Sequence, residues 1–362
     1  MEYQYSSSLA ISNLSIWLIM VVIYGISFYR NRNRIHQSAC FYICVIFFST
    51  FAFSVADTYH YHTIYDEMLT FNECIHVEPF YYWLIRVLPH NYYFWRFVVW
   101  GGALLLLDRC FKRYCLEPSI VYFIFPVILL QQFALTRGAL GISLFLYSLS
   151  FILKPLPNKG ISYVLGIGGC MIALSLHKSL PLYALIALLA FIPMKRSTVC
   201  ILLIAFPFIR TLVIPFVFEI LETNVFSEHT IDFATHYLEA EQTKANFNGI
   251  IRLLVDYIPR FLIFYALIKE YSFKTSIRPP KFIRILYQYS FILFYISLLF
   301  FGQNTSSFVS NRTLHMMYFP LTIVLSYFLR NNLKREWITN TAIGLFILSD
   351  LYAFTYSIYS WN

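Results

Sequence analysis

Residues 11–34 read ISNLSIWLIMVVIYGISFYRNRNR, an apolar run that ends in a cluster of arginines. The run covers residues 11–29, close to the ~20 residues that a helix needs to cross a bilayer. Basic residues gather on the inner side of membrane helices, so Arg30, Arg32 and Arg34 predict that the segment before this helix lies outside. Signal peptides start basic, whereas no Lys or Arg precedes this run. We therefore expect the first helix to be retained in the membrane.

The same balance of residues extends over the whole chain. Of its 362 residues, 59% are hydrophobic and 12% are charged, whereas soluble domains contain about 45–50% apolar and ~25% charged residues. This composition excludes a water-soluble enzyme, a disordered protein and a nucleic-acid binder. We predict an all-α polytopic membrane protein in which residues 1–362 form a single integral membrane domain.

The apolar runs predict about twelve transmembrane helices. Most connections between them are a few residues long, which leaves no room for a soluble domain. The predicted spans are 11–29, 36–55, 91–109, 117–135, 138–153, 161–176, 179–194, 197–218, 250–268, 285–301, 314–329 and 337–357.

The distribution of charge agrees with this topology. Eighteen of the 27 basic residues fall in the predicted inner loops or at the adjoining ends of the spans, together with four of the 18 acidic residues. The net charge of +9 is therefore explained by the bias of basic residues toward the inner face. It does not indicate a nucleic-acid partner.

Two connections are long, residues 56–90 and 219–249, and both fall on the outer face with the two chain termini. Residues 78–88 (EPFYYWLIRVL) are apolar but too short to span, which predicts an interfacial or re-entrant helix. Both loops are rich in carboxylates and histidines or aromatic residues. We therefore expect the chemistry of the protein to face outward.

Several cations lie within or beside the predicted spans, where a charge at mid-membrane costs roughly 2.5–3.5 kcal/mol. Arg137 lies where one helix ends and the next begins, Arg260 lies in the ninth span, and Arg312 lies at the start of the eleventh. His177 and Lys178 follow the sixth span. In this topology Arg260 is somewhat deeper, and the other four lie near the outer membrane–water boundary.

A phosphate or diphosphate accounts for cations at that depth, because arginine stays charged when desolvated and binds phosphate oxygens in a bidentate manner. Cations there also stabilise a departing diphosphate. An arginine near a helix end can instead anchor the helix by snorkelling, an alternative that applies to Arg86 and Arg252. Arg210, inside the eighth span, can pair with Asp256 or Asp350.

Asp57 follows directly on an apolar helix end, where an acid can act as a general base or orient a sugar hydroxyl. The alternative is a helix N-cap. His60 and His62 form a bare HxH, which is usually solvated and does not indicate a metal site. No metal is required, because arginine can carry the phosphate charge, and no sequence motif calls for another cofactor.

Six segments together resemble a known family. Their order and spacing are similar to those of the EpsG family of bacterial exopolysaccharide polymerases, which are Wzy-like integral membrane proteins. The segments are ADTYHYHTIYDE (56–67), VEPFYYWLIRVL (77–88), LTRGALGISLFLYSL (135–149), LHKSLPLYAL (176–185), ATHYLEAE (234–241) and SNRTLHMMYFPLTIVLSYF (310–328).

The resemblance implies a polymerase that joins undecaprenyl-diphosphate-linked repeat units at the outer face of the inner membrane. The hydroxyl of one unit attacks the anomeric carbon of the growing chain and releases its lipid diphosphate. A helical bundle similar to that of the membrane glycosyltransferases of the C superfamily is implied as well. The implied partners are the lipid-linked glycan, the bilayer, a chain-length regulator and a flippase.

Within that expectation we assign roles to twelve residues. Arg137 and Arg312 bind the diphosphate and stabilise the leaving group. His177 is a general base or a diphosphate ligand, and Asp57 is the alternative base. The residues expected to bind substrate are Tyr59, Tyr61, Glu78, Trp83, Lys178, His236, Tyr237 and Arg260.

Three other functions remain open from the sequence, of which a structural or acyl-transfer membrane protein is the weakest. A ligase or another lipid-linked glycosyltransferase would use the same residues and differ in the length of its product. A transporter or flippase of lipid-linked glycans belongs to a different class and often shows repeated halves with broken helices. Pro207, Pro215 and Pro259 are candidate breaks, but the two halves of the chain share no matching pattern.

Overall fold

The computed structural model describes residues 58–70, 78–116, 136–222, 257–272, 279–300, 306–331 and 340–349, together with Ser15, Val22, Val121 and Ile128. Within these ranges every regular element is a helix, as the sequence predicted. The helices are α1 Thr58–Thr70, α2 Pro79–Val87, α3 Tyr92–Arg113, α4 Thr136–Leu153, α5 Lys159–Ser175, α6 Leu180–Leu189, α7 Arg196–Ile204, α8 Phe206–Glu222, α9 Ile258–Ser272, α10 Lys281–Leu299, α11 Ser306–Asn331 and α12 Asn340–Ser349.

The described helices follow several predicted spans closely. The span 138–153 is α4, 161–176 is α5, and 285–301 is α10 within a few residues. The short apolar stretch 78–88 forms the nine-residue helix α2. Four residues apart (Ser15, Val22, Val121 and Ile128), the structure does not describe the first two spans or the span 117–135. Most of the loop 219–249 also lies outside the described residues.

Three predicted boundaries were wrong. The span 197–218 is divided at Ala205 into α7 and α8. Pro207 has no backbone N–H and so cannot donate a hydrogen bond to the preceding turn. The span 179–194 forms a helix only as far as Leu189. In contrast, α11 begins at Ser306, eight residues before the predicted start of its span.

Local signals in the sequence account for where some helices begin and end. The side chain of Asn91 accepts a hydrogen bond from the backbone N–H of Phe94 at 3.0 Å and caps α3, and Asn158 caps α5 in the same way. At its other end α3 closes with a left-handed residue, Cys115 (φ 54°). The N–H of Leu116 then bonds to the carbonyl of Phe111 at 3.0 Å, which satisfies one of the last helical acceptors.

By length and composition, α10 is the one described helix long and apolar enough to cross a membrane. Shorter helices leave large apolar side chains exposed. On α5 these include Val164 and Met171, and on α8 they include Phe208 and Leu212. An exposed apolar surface of this kind is typical of contact with lipid or another protein. The count of about twelve spanning helices stays a prediction.

The chain divides into two compact units. Unit 1 comprises Met1–Leu185, Thr322–Leu333 and Asp350–Asn362, and unit 2 comprises Ile186–Leu321 and Lys334–Ser349. The expectation of a single domain over residues 1–362 stays a prediction.

In unit 1, α4 packs along both α3 and α5. Tyr65 of α1, Tyr81 of α2 and Tyr92 and Trp95 of α3 form an aromatic cluster with ring centroids 5.6–6.2 Å apart. This cluster fixes α2 against the bundle, and with it the residue that precedes α2. The core of unit 2 includes α9 and α10, where the hydroxyl of Tyr287 donates to the carbonyl of Phe264 at 3.1 Å.

Candidate functional site

Three segments that are distant in sequence meet in unit 1. The carboxylate of Glu78, just before α2, accepts a hydrogen bond from Arg137 Nη1 at 3.0 Å through its Oε2. Its Oε1 accepts from the backbone N–H of Lys178 at 3.1 Å. One carboxylate therefore joins the first turn of α4 to the residue two positions before α6.

This ion pair is largely removed from solvent. The side chain of Glu78 is 5% exposed and that of Arg137 is 15% exposed. The hydroxyl of Tyr81, in the first turn of α2, donates to the backbone carbonyl oxygen of Arg137. The pair is thus held both by its own charges and by a bond between the two helices that carry it.

The residues of this cluster lie at or near the starts of three helices. Glu78 is the N-cap residue of α2 but makes no side-chain capping bond to it. Arg137 is the second residue of α4, and Lys178 lies just before α6. The two donors to the Glu78 carboxylate are thus the Arg137 guanidinium, in the first turn of α4, and the backbone N–H of Lys178, just before α6, and the N-terminus of a helix carries partial positive charge. Such an arrangement favours an anion.

His177 lies beside the cluster, between α5 and α6, and is half-buried. Its Nδ1 accepts from the backbone N–H of Ser179 at 3.1 Å and lies 2.8 Å from the Ser179 hydroxyl. A nitrogen that accepts from a backbone N–H must carry its lone pair, which places the hydrogen of the neutral ring on Nε2. In this tautomer His177 presents a donor at Nε2.

The opposite end of α4 holds a different set of cations. The guanidinium of Arg113, the last residue of α3, donates to the carbonyl oxygen of Lys154, which follows α4. The Lys154 ammonium donates in return to the carbonyl of Arg113 at 2.5 Å. Residues 78, 137 and 178, all predicted on the outer face, therefore meet at one end of α4. Residues 113 and 154, predicted on the inner face, meet at the other.

Arg260 lies in unit 2, in the first turn of α9, and is fully buried. Its Nε donates to the hydroxyl of Tyr318 at 2.6 Å. Its guanidinium carbon lies 5.5 Å from the centre of the Tyr318 ring and 5.4 Å from that of Phe346. Cation–π contacts of this kind hold a guanidinium in a dry environment.

A cluster of hydroxyl groups lies in the same unit. The Tyr257 hydroxyl is 3.0 Å from Ser297 Oγ and 2.5 Å from Ser310 Oγ. Ser297 also donates to the carbonyl of Ser310 at 2.8 Å. These bonds link the start of α9 to α10 and α11.

The other predicted site residues are placed as follows. Arg312 lies in the second turn of α11 and is half-buried, rather than ahead of the helix as expected. Trp83 on α2 is 56% exposed, and the side chain of Lys178 is exposed. Tyr59 and Tyr61 lie on α1. Asp57, His236, Tyr237, Asp256 and Asp350 lie outside the described residues.

The structure thus brings together Glu78, Arg137, His177 and Lys178, which the sequence had named separately. The sequence did not indicate that Arg137 pairs with Glu78, and no role in the site was predicted for Tyr81 or Ser179. Both missed residues belong to the quoted segments 77–88 and 176–185, but nothing in a single segment tells which side chains will meet.

The chain belongs to the EpsG family, whose model matches residues 35–361. Comparison with curated proteins and with solved structures finds no match. The family is one of membrane-associated polymerases connected with exopolysaccharide biosynthesis. The resemblance seen in the sequence is therefore confirmed at the level of the family.

Proposed function

We propose that this protein polymerises polysaccharide by joining undecaprenyl-diphosphate-linked repeat units at the outer face of the bacterial inner membrane. The observation that carries the proposal is the largely buried Arg137–Glu78 ion pair, joined to the Lys178 amide, in a chain of this family. A diphosphate carries at least two negative charges, and it binds well to a guanidinium that lies near a helix N-terminus. The outward orientation, the twelve spans and a bundle like that of the C superfamily belong to the same proposal.

In the proposed reaction a hydroxyl oxygen of one repeat unit attacks the anomeric carbon of the growing chain. The bond between that carbon and the diphosphate oxygen breaks, and the lipid diphosphate leaves with the electron pair. Arg137 meets the negative charge that develops on the leaving group, and Arg312 is proposed to share this task. The proton of the hydroxyl passes to a carboxylate, for which Asp57 is the proposed base.

His177 is proposed as a diphosphate ligand rather than as the base. The bond from the Ser179 N–H supports this choice, because it leaves the ring with a hydrogen on Nε2. A donor at Nε2 suits a phosphate oxygen, whereas a base needs a lone pair there. The sugar contacts proposed for Tyr59, Tyr61, Trp83, His236 and Tyr237, and the substrate contacts proposed for Lys178 and Arg260, complete the assignment.

A deletion strain tests the reaction directly. Loss of a polymerase should stop long polysaccharide and let single lipid-linked repeats accumulate, whereas loss of a ligase should leave long chains on the lipid. A flippase deletion would instead hold the single repeats on the cytoplasmic side. Normal polymer in the deletion strain would overturn the proposal.

Complementation with variants then tests the site. Arg137→Ala should restore no polymer, and Arg137→Lys should restore little, because lysine lacks the bidentate geometry of arginine. The matched control is Arg113→Ala at the opposite end of α4, which should restore long chains. Polymer from Arg137→Ala at the control level would remove Arg137 from the mechanism.

A further inference from the structure

The Glu78 carboxylate occupies the position that an anionic ligand would take. Its two oxygens are divided between two donors, Arg137 Nη1 at 3.0 Å and the N–H of Lys178 at 3.1 Å. A phosphate group offers the same pattern, with two oxygens on one central atom that can each accept from one donor. The two donors that hold the Glu78 carboxylate therefore match those that a phosphate group needs.

We infer that Glu78 is an internal competitor for the diphosphate site, which a phosphate group of the substrate must displace from Arg137 and the Lys178 amide. The inference rests on the proposed function. It adds that the Glu78 carboxylate weakens the binding of a diphosphate to Arg137 and the Lys178 amide. It also explains why Glu78, although it is the N-cap residue of α2, does not cap that helix. Its side chain is engaged by the site instead.

Charge supports displacement rather than simultaneous binding. A diphosphate placed beside the intact ion pair would face a carboxylate that is 5% exposed and therefore little screened by water. Movement of Glu78 away from Arg137 removes this repulsion. The Arg137 guanidinium and the Lys178 amide then receive the larger negative charge of the substrate.

The alternative is that Glu78 only positions Arg137. The two roles predict opposite effects of Glu78→Gln, which keeps the shape of the side chain and removes its charge. A competitor that loses its charge releases the site, so an anion binds more tightly. A positioning residue that loses its charge leaves Arg137 poorly held, so an anion binds more weakly.

The test measures binding of inorganic pyrophosphate to the full chain in lipid nanodiscs by titration calorimetry. Glu78→Gln should bind at least about tenfold more tightly than the unmodified protein, since a hydrogen bond between charged groups is worth that factor or more. Arg137→Ala in the Glu78→Gln background should lose the gain. Glu67→Gln, a change at an exposed carboxylate of α1, is the matched control and should have no effect.

Glu78→Asp covers the case in which Glu78→Gln does not fold. Aspartate keeps the charge but is one methylene shorter, so it cannot reach both donors, and its affinity for pyrophosphate should lie above that of the unmodified protein. Equal or weaker binding of pyrophosphate in every folded Glu78 variant would overturn the inference. A gain in affinity that remains after Arg137 is replaced would also overturn it. Either outcome would leave the proposed function intact if the deletion strain still accumulates single lipid-linked repeats. A gain together with normal polymer in the deletion strain would refute the function alone.

Discussion

The two ends of α4 hold arginines in opposite electrostatic settings. Helix α4 has 18 residues and is therefore ~27 Å long at 1.5 Å per residue. At its C-terminal end, Arg113 and Lys154 each donate to the other's backbone carbonyl oxygen. Cations near a helix C-terminus meet its partial negative charge, so within the part of the chain that the structure describes this end is stabilised without a carboxylate partner for Arg113.

At the N-terminal end the helix field has the opposite sign. Arg137 lies in the first turn of α4, where partial positive charge disfavours a cation. The Glu78 carboxylate offsets the charge of this guanidinium and also accepts from the Lys178 N–H. The C-terminal end of α4 therefore holds cations where the helix field favours them, whereas the N-terminal end holds a cation that an anion offsets. A cation in that setting is the property expected of a binding site.

Removal of each arginine should show the largest difference between the two ends. Arg137→Met leaves the buried Glu78 carboxylate without its ion pair and should lower the free energy of unfolding by about 3–5 kcal/mol. Arg113→Met removes bonds to a carbonyl and a ring and should cost about 1 kcal/mol. Chemical unfolding of the protein in detergent, followed by tryptophan fluorescence, measures both.

The double variant Arg137→Met with Glu78→Gln provides the control for charge. It should recover most of the stability that Arg137→Met loses, because no unpaired charge remains buried. Equal losses of stability for Arg137→Met and Arg113→Met, or no recovery in the double variant, would show that the two ends of α4 do not differ in their dependence on charge.

Arg260 extends the comparison to a buried cation in unit 2. Tyr318→Phe keeps the ring over the guanidinium and removes the oxygen that accepts from Arg260 Nε. We expect a loss of about 2 kcal/mol, within the range for a hydrogen bond to a buried charged group. Tyr163→Phe on the exposed face of α5 should change the stability by less than about 0.5 kcal/mol. A Tyr318→Phe protein as stable as this control would show that the phenol oxygen does not hold Arg260.

The packing of α5 against the C-terminal half of α4 can be changed apart from the ion pair. A Cβ on Gly166 would lie 2.6 Å from Ile152 Cγ1 and 3.2 Å from the carbonyl oxygen of Ser148, whereas one on Gly168 would meet nothing within 4 Å. Gly166→Ala should therefore lower stability by about 1–2 kcal/mol, and Gly168→Ala should raise it by up to about 1 kcal/mol. Thermal unfolding of the two variants side by side measures this difference.

Pyrophosphate binding shows whether the changes in helix packing affect the candidate site. Because Glu78 and Arg137 lie at the other end of α4, both glycine variants should bind pyrophosphate as the unmodified protein does. A loss of binding in Gly166→Ala at a temperature where it is folded would show that the two ends are coupled.

The sequence predicted more of the fold than of the site. Apolar length alone placed α4, α5 and α10 within a few residues, because each apolar run of that length has one stable form in a membrane. It failed at Ala205, where Pro207 divides a run that is apolar throughout. The predicted alternation of inner and outer loops also placed Glu78, Arg137 and Lys178 on one face.

The contacts within that face could not be predicted. The sequence separates Glu78 from Lys178 by a hundred positions, and helix rotation decides which carboxylate reaches which arginine. Asn91 and Asn158 were readable as caps in principle, since capping is local. The ion pair is not local, and its formation depends on how α2 packs in the aromatic cluster.

The smallest predicted effect tests the bond that sets this packing. Tyr81→Phe removes the hydroxyl that donates to the Arg137 carbonyl oxygen, and it should lower stability by about 1 kcal/mol. Tyr82→Phe is the neighbouring control, because the Tyr82 hydroxyl accepts from Arg86 on an exposed part of α2. The Tyr81 hydroxyl joins α2, which Glu78 precedes, to α4, which carries Arg137. Loss of this bond should therefore lower the polymer yield of Tyr81→Phe severalfold, whereas the yield of Tyr82→Phe should stay unchanged. Equal yields would mean that the ion pair alone aligns α2 with α4, and that the N-terminal end of α4 depends on its anion even for its geometry.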